Sequence, residues 1–229
     1  MPKVTDEYFV NKKKSIIDAA IRVCKSKPAY AVTMRDVIKE CGISQGGIYN
    51  YFSSVDEIFV EIINQAHNKS KAKHEGEAAS IFESGKPPED IIREYFILIG
   101  RAMDDIFDQY RSLIHEIAII QMQEPARMES LETKPNDDLI TFINEVSQFI
   151  ETHKANGNFR ANVSRAHITF LIICVVTSIG NVIMFPDQAK KQLELIGLTG
   201  EEYTTAESMM KVLAETVIQL ISHDAAKCT

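Results

Sequence analysis

Apolar residues recur at three- and four-residue intervals along most of this chain, which is the period of an amphipathic helix. Alternation of apolar and polar residues, as expected for a strand, is not sustained over any long stretch. Only 10 Gly and 7 Pro occur in 229 residues, so long helices can form without interruption. The pattern therefore predicts an all-α fold.

The clearest break in this pattern is Gly-Lys-Pro-Pro at residues 85–88. Before it, the sequence predicts a first helix stopped by Pro28, two short helices within residues 33–52, and a fourth helix that reaches about Lys73. After it, the predicted helices are mostly apolar and cover residues 89–110, 111–123, about 135–156 and 163–185, with a last helix opened by Thr204 or Thr205.

The two short helices of residues 33–52 have clear end markers. Thr33 can cap the first of them, with Asp36 as the acidic half of a capping box. Gly42 stands where a helix end needs a left-handed residue, and Ser44 can cap the second helix. Ile48 and Phe52 then face inward, which leaves their neighbours exposed. This is the layout of a helix-turn-helix, although spacing alone fits any compact helical hairpin with a glycine turn equally well.

Residues 14–60 resemble the N-terminal domain of the tetracycline-repressor (TetR) family. The matching features are the Ala-Ala helix of residues 16–24, Thr-x-Arg-Asp at the start of the second helix, the turn Cys-Gly-Ile-Ser, and the block of residues 46–52. Cys24 and Pro28 depart from the family pattern, which usually has an aromatic residue and a glycine there. The resemblance implies a three-helix helix-turn-helix DNA-binding domain at residues 1–60 and a helical ligand-binding and dimerisation domain at residues 61–229.

The resemblance also implies that the second helix of the motif enters the DNA major groove. Gln45 and Asn50 can each offer an amide to adenine, and hydroxyl groups can donate to phosphates. Small residues at positions 46 and 47 would allow close approach to the sugar-phosphate wall. The predicted DNA-binding residues are Thr33, Arg35, Ser44, Gln45, Gly46, Gly47, Tyr49, Asn50 and Tyr51, although at least one of the two tyrosines is expected to pack in the core.

Positive charge near this motif is sparse. No Lys or Arg lies between Lys39 and Lys69, so we expect few ionic contacts and a shallow salt dependence of DNA binding. The run Lys12–Lys14 can contact phosphates or can be a solvated helix end. Residues 1–73 hold 12 Lys+Arg and 8 Asp+Glu, against 13 and 24 in residues 74–229. This asymmetry favours DNA contact by the N-terminal part, although chance alone can produce it.

For the remainder of the chain, the resemblance implies a central cavity that binds a small, largely apolar effector. It also implies a homodimer through the last two long helices, bound to a palindromic double-stranded DNA operator and released by the effector. Aromatic and Met residues at helical spacing are more often plain core. The predicted pocket residues are Phe96, Met103, Phe107, His115, Met122, Phe142 and Phe170.

Residues 163–185 are the most apolar stretch and are long enough to cross a membrane. Thr, Ser, Gly and Asn interrupt the stretch, and we interpret it as a core helix that is apolar on two sides. One side would face the body and the other a second subunit. With no signal peptide evident and Cys24, Cys41 and Cys174 expected to be buried thiols, the sequence predicts a cytoplasmic protein without a membrane partner.

The spacing of residues gives little support for an enzymatic function. His115-Glu116 begins like a zinc-binding HExxH, but Ile119 occupies the second histidine position. His115 and His167 are expected to be core histidines, and His67, His74, His153 and His223 surface residues. No catalytic residue, metal site or cofactor is predicted. The alternative function is a helical carrier or enzyme that uses the C-terminal pocket.

Overall fold

The computed structural model describes residues 6–123, 137–198 and 203–223. These ranges contain no strand, and the all-α prediction is confirmed. A 3₁₀ turn, Ala29–Ala31, links the first two helices. The helices are α1 (Asp6–Ser26), α2 (Met34–Cys41), α3 (Gln45–Ile48), α4 (Val55–Phe82), α5 (Pro88–Gln123), α6 (Asp137–Ala155), α7 (Arg165–Met184), α8 (Pro186–Leu195) and α9 (Ala206–Ile221).

Helices α4 and α5 are longer than the sequence pattern predicts. The end predicted near Lys73 is wrong, because the polar residues that follow contain no proline and the helix continues to bury Ile81. The break predicted between residues 110 and 111 is also wrong. Leu113 is buried and Tyr110 and Ile117 pack beside it, so the helical spacing continues through the predicted break. A polar surface or a change of apolar face does not end a helix when no helix-breaking residue is present.

Contacts group the described residues into two units. The first contains residues 6–68 and 110–123, and the second contains residues 69–109, 137–198 and 203–223. The domain boundary predicted at residue 60 stays a prediction. The core of the first unit combines α1 to α3 with the start of α4 and the end of α5; its most buried members include Ile16, Ala20, Val37, Ile48, Phe52, Ile58 and Leu113.

The second unit is built around α7 and α9. One face of α7 is buried against the neighbouring helices α6 and α9, and α9 buries residues on most of its turns. The core also takes in α5 and α6 side chains, among them Phe96, Leu98, Phe142 and Ile150. Among the described helices, α7 alone has the length and apolar content to cross a membrane. Core helices meet the same criteria, and the buried face of α7 (Ile168, Ile172, Val176, Ile179 and Ile183) is consistent with that role.

Helices α5 and α9 approach each other closely at Gly100. A Cβ atom there would lie 2.5 Å from the Cα of Glu207 and 2.8 Å from the carbonyl oxygen of Ala206. One turn later the Asp104 carboxylate accepts hydrogen bonds from the N–H groups of Ala206 (2.8 Å) and Glu207 (2.9 Å). The first turn of a helix has unpaired N–H groups, so Asp104 caps α9 from another helix. Thr205 caps it as well, as predicted.

Three single-residue expectations in this unit are wrong. Cys174 is exposed rather than buried, and His167 is exposed as well, because both lie away from the buried face of α7. His74 is 8% exposed rather than a surface residue. Its Nε2 lies 3.0 Å from an Asp105 oxygen and its Nδ1 lies 3.6 Å from a Glu77 oxygen. A histidine in a polar stretch became buried because α4 continues past the predicted end.

Gly100→Ala is expected to lower the free energy of unfolding by about 1–3 kcal/mol, the usual range for overpacking a tight contact. The reason is that the new methyl group meets backbone atoms of α9, which can move only if the helix moves. Urea denaturation measures the change. Gly76→Ala is the matched control, because it is also helical and has no atom within 4 Å of the new Cβ. That control is expected to be stabilising by about 0.5–1 kcal/mol, and equal destabilisation of both variants would contradict the prediction.

Candidate nucleic-acid interface

The start of α2 is fixed by a capping box. The Asp36 carboxylate accepts hydrogen bonds from the Thr33 N–H (2.8 Å) and the Thr33 hydroxyl (2.7 Å), and the Asp36 N–H donates to the Thr33 Oγ1 at 3.3 Å. Lys27 Nζ lies 2.7 Å from the same carboxylate. Hydrogen bonds from Lys27 and then Thr33 hold the pKa of Asp36 well below its ordinary value. Thr33 therefore has its hydroxyl hydrogen engaged, and the phosphate contact expected of that hydrogen is not available in this arrangement.

The turn between α2 and α3 has the predicted chemistry. Gly42 is left-handed with φ 68°, and its N–H donates to the Ile38 carbonyl at 3.0 Å. Ser44 accepts a hydrogen bond from the Gly47 N–H at 3.2 Å and so caps α3. Ile48 is 0% exposed and Phe52 is 2% exposed. These two buried residues anchor a helix of only four residues to the core of the first unit.

The opposite side of α3 is exposed. Gln45 and Gly46 lie at its start, and Tyr49 and Asn50 follow one turn later on the same side. The chain continues in helical geometry past Ile48, because Tyr51 and Phe52 both donate backbone hydrogen bonds to its carbonyl. Gln45 and Asn50 are exposed, so both amide groups are accessible on one surface. We call this surface, made of Gln45, Gly46, Tyr49 and Asn50, the α3 surface.

The two adjacent glycines of α3, Gly46 and Gly47, have different structural roles. A Cβ atom on Gly47 would lie 2.9 Å from Ile43 Cγ2 and 3.0 Å from the Ser44 hydroxyl oxygen. A Cβ atom on Gly46 would have no atom within 4 Å. Gly47 is therefore required by packing inside the turn, whereas Gly46 leaves open space on the α3 surface. The sequence alone did not distinguish these two roles.

Tyr51 is the tyrosine that packs. Its ring lies 4.5 Å from the ring of Phe9 in α1, whereas Tyr49 is 49% exposed. One turn after Phe9, Lys13 Nζ lies 5.5 Å from the Phe52 ring centroid and 3.1 Å from a Glu61 carboxylate oxygen. The N-terminal half of α1 thus braces the end of the helix-turn-helix. Sequence reasoning missed Phe9, although its four-residue spacing from Lys13 places both on one face of a helix.

Several basic side chains of α1 and α2 already contact other residues of the first unit, which leaves few of them to bind a polyanion such as DNA. Lys13 pairs with Glu61, and Lys12 Nζ lies 5.7 Å from the Tyr8 ring centroid. Arg35, Lys14 and Lys39 are exposed and form no ion pair with any described residue. Helix α3 itself contains no basic residue, and no Lys or Arg lies between Lys39 and Lys69 in the sequence. It can therefore offer amide and hydroxyl groups to a partner, with charge supplied from α1 and α2.

The structure brings together only some of the predicted pocket residues. Phe96 and Phe142 are buried with ring centroids 5.1 Å apart, and Met103 and Phe107 pack against the same core. His115 belongs to the other unit, and Phe170 is 69% exposed on the outer side of α7. Met122 lies in α5, and its side chain is outside the described part of the chain. The aromatic residues that do meet form a packed core.

Comparison with known proteins gives matches at both the sequence and the structural level. Residues 16–62 match the family model "Bacterial regulatory proteins, tetR family". The chain is 28% identical over 161 residues to the HTH-type transcriptional regulator YfiR of Bacillus subtilis (strain 168), covering 69% of this chain and 73% of YfiR. Its fold is similar to a transcriptional regulator from Cytophaga hutchinsonii ATCC 33406, with a TM-score of 0.55, 17% identity and coverage of 92% and 98%. The flavonoid-responsive regulator FrrA is similar to the same degree, with a TM-score of 0.55, 16% identity and coverage of 93% and 98%.

Gly47→Ala is expected to lower the free energy of unfolding by about 1–3 kcal/mol, because its methyl group meets Ile43 and the capping hydroxyl of Ser44. Gly46→Ala is the matched control one residue earlier. It meets no atom and is expected to be neutral or to stabilise by up to about 1 kcal/mol. Urea denaturation of both variants measures the difference, and an equal response of the two would show that the turn is not tightly packed.

Proposed function

We propose that this chain acts in the cytoplasm as a homodimeric repressor of the TetR family, because residues 16–62 match that family's model and the chain is similar to the regulator YfiR. In this proposal it binds a palindromic double-stranded DNA operator and is released by a small apolar effector. The observation that carries the proposal is the α3 surface. Gln45 and Asn50 are exposed on a short helix whose other side, Ile48 and Phe52, is buried.

On DNA, the α3 surface would lie in the major groove. Gln45 and Asn50 would each present an amide group to an adenine, the pairing that glutamine and asparagine form best. Gly46 leaves room for the close approach of a sugar-phosphate wall. The hydroxyl groups of Ser44 and Tyr49 would donate to phosphates, and Arg35 would add charge. Tyr51 and Gly47 would act indirectly, by holding α3 in place.

The outer side of α7 supports the proposed homodimer. Phe170 is 69% exposed and Ile173 is 39% exposed, and α9 exposes Val212 and Leu220 at 43% each. Apolar residues exposed along two long helices of one unit fit a four-helix contact with a second copy.

Phe170→Glu is expected to convert the dimer to a monomer, as measured by the mass from analytical ultracentrifugation. Ile140→Glu on α6 is the control, since it also replaces an exposed apolar residue, and an unchanged mass for Phe170→Glu would exclude this face.

The proposed effector site is the core around Phe96 and Phe142. These rings are packed against each other, so an apolar effector would have to bind a less tightly packed population of the second unit and increase its share. Effector binding is measured by thermal unfolding with a panel of apolar compounds. Any compound that raises the unfolding midpoint is then tested for release of the protein from DNA. A compound that raises the midpoint and leaves DNA binding unchanged would not be an effector.

The decisive experiment is a footprint of the purified protein on the DNA that flanks its own gene. Protection of two half-sites about 34–36 Å apart is expected, because each half of a symmetric dimer enters one major groove. Gln45→Ala is expected to weaken operator binding by at least about tenfold, since one bidentate contact to a base is worth about 1–3 kcal/mol. Gln148→Ala on α6 is the matched control. No protection on any genomic fragment would refute DNA recognition.

Operator binding is expected to depend weakly on salt. The three exposed cations Lys14, Arg35 and Lys39 would neutralise at most about six phosphates per dimer, so log K against log salt is expected to have a slope of about −5 or shallower. Binding measured by fluorescence anisotropy at several salt concentrations gives this slope. A slope near −10 would mean that many more phosphates are neutralised than the exposed cations near α3 allow.

A further inference from the structure

Glu116 lies in α5 and contacts a part of the first unit that is distant in sequence. Its carboxylate accepts a hydrogen bond from the backbone N–H of Tyr30, 86 residues earlier in the chain. Helix α5 is anchored at this point, because Leu113, one turn before Glu116, is buried in the core of the first unit and Ile117 packs against the same core. Glu116 therefore reaches Tyr30 from a helix that is held in place.

Tyr30 belongs to the 3₁₀ turn that leads from α1 towards α2. Inside this turn the N–H of Ala31 donates to the carbonyl of Pro28 at 2.9 Å. The first N–H groups of a helical turn have no acceptor within the turn, and Glu116 supplies one for Tyr30. Tyr30 is 78% exposed, so α5 holds the backbone of the turn rather than the tyrosine ring.

The position of this turn determines where the helix-turn-helix begins. Thr33, the N-cap of α2, follows Tyr30 by three residues. Helix α2 is then joined to α3 by the left-handed Gly42 and by the cap of Ser44. Because this connection has a defined geometry, a displacement of the first turn of α2 would also displace the α3 surface.

The charge of Glu116 also acts on α1. Burial and, secondly, the charge of Glu116 raise the pKa of the Cys24 thiol to about 11. Cys24 lies two residues before the end of α1 at Ser26. The Glu116 carboxylate is therefore close to the end of α1 as well as to the 3₁₀ turn.

We propose that Glu116 is a positioning residue for DNA recognition, which holds the Tyr30 N–H and so fixes the start of α2 and the α3 surface. The inference rests on the proposed DNA-binding function, and Glu116 would act through Tyr30 rather than touch DNA. Without this hydrogen bond, water would pair with the exposed N–H, so the fold would lose little stability. The turn would sample more conformations, and operator binding would have to order it.

Exchange of the Tyr30 amide hydrogen, measured by NMR on the full chain without DNA, tests the contact. Glu116→Leu removes the acceptor at similar size and is expected to speed this exchange by at least about tenfold. Glu116→Gln keeps a carbonyl acceptor at the same chain length and is expected to leave the rate within about twofold of wild type. The amide of Ile48, which is buried and donates to the Ser44 carbonyl at 3.1 Å, is expected to be unchanged in both variants.

Operator affinity, measured by fluorescence anisotropy, tests the positioning role. Glu116→Leu is expected to bind about tenfold more weakly than wild type, and Glu116→Gln about as tightly as wild type, although both variants remove the same negative charge. Glu75→Leu, which removes an exposed glutamate of the second unit, is the matched control and is expected to bind like wild type. Glu116→Ala removes the acceptor without an apolar side chain of similar length, and it replaces Glu116→Leu if the leucine disturbs folding.

Equal exchange of the Tyr30 amide in wild type and Glu116→Leu would show that the contact does not hold the turn, and would overturn the inference. Faster exchange with unchanged operator affinity would overturn the positioning role, and so would an equal loss of affinity in Glu116→Gln. In each of these outcomes the wild-type chain still binds its operator. Absence of operator binding by the wild-type chain would instead refute the proposed function, and this inference with it.

Discussion

The burial of Ile48 and Phe52 is the constraint on which the candidate site depends. A helix of four residues has no stability of its own, because nucleating a helix fixes several residues for very few hydrogen bonds. Helix α3 exists because its inner side is held by the core of the first unit, and because Gly42 and Ser44 set its entry. The exposure of Gln45 and Asn50 is thus a property of the whole unit rather than of the α3 sequence.

The same unit uses much of its positive charge internally. Lys13 pairs with Glu61, Arg22 with Glu40, and Lys27 with Asp36, so these basic residues help to hold α1, α2 and α4 together. Surface pairs of this kind each contribute little to stability. Their larger effect is to leave few cations near α3. Recognition of a DNA sequence would then depend on the amide groups of Gln45 and Asn50 and on the shape of the α3 surface, and nonspecific attraction to DNA would be correspondingly small.

Local chemistry was predictable from the sequence, and tertiary packing was not. The capping box at Thr33, the left-handed Gly42 and the caps at Ser44 and Thr205 each depend on a few adjacent residues, and all are present. The lengths of α4 and α5 and the burial of His74 depend on contacts with residues far away in the chain. The position of Phe170 depends on which side of an apolar helix faces the core. An apolar pattern on two sides of a helix does not decide that choice.

Because Asp104 caps the start of α9 from another helix, the position of α9 does not depend only on the chain segment that leads into it. Two consecutive N–H groups at its start are held by a side chain of α5, and Gly100 fixes the distance between the two backbones. Insertions in the connection after α8 can therefore be absorbed without shifting the register of α9. This connection is accordingly a favourable place to attach a reporter peptide while leaving the helices of the second unit aligned.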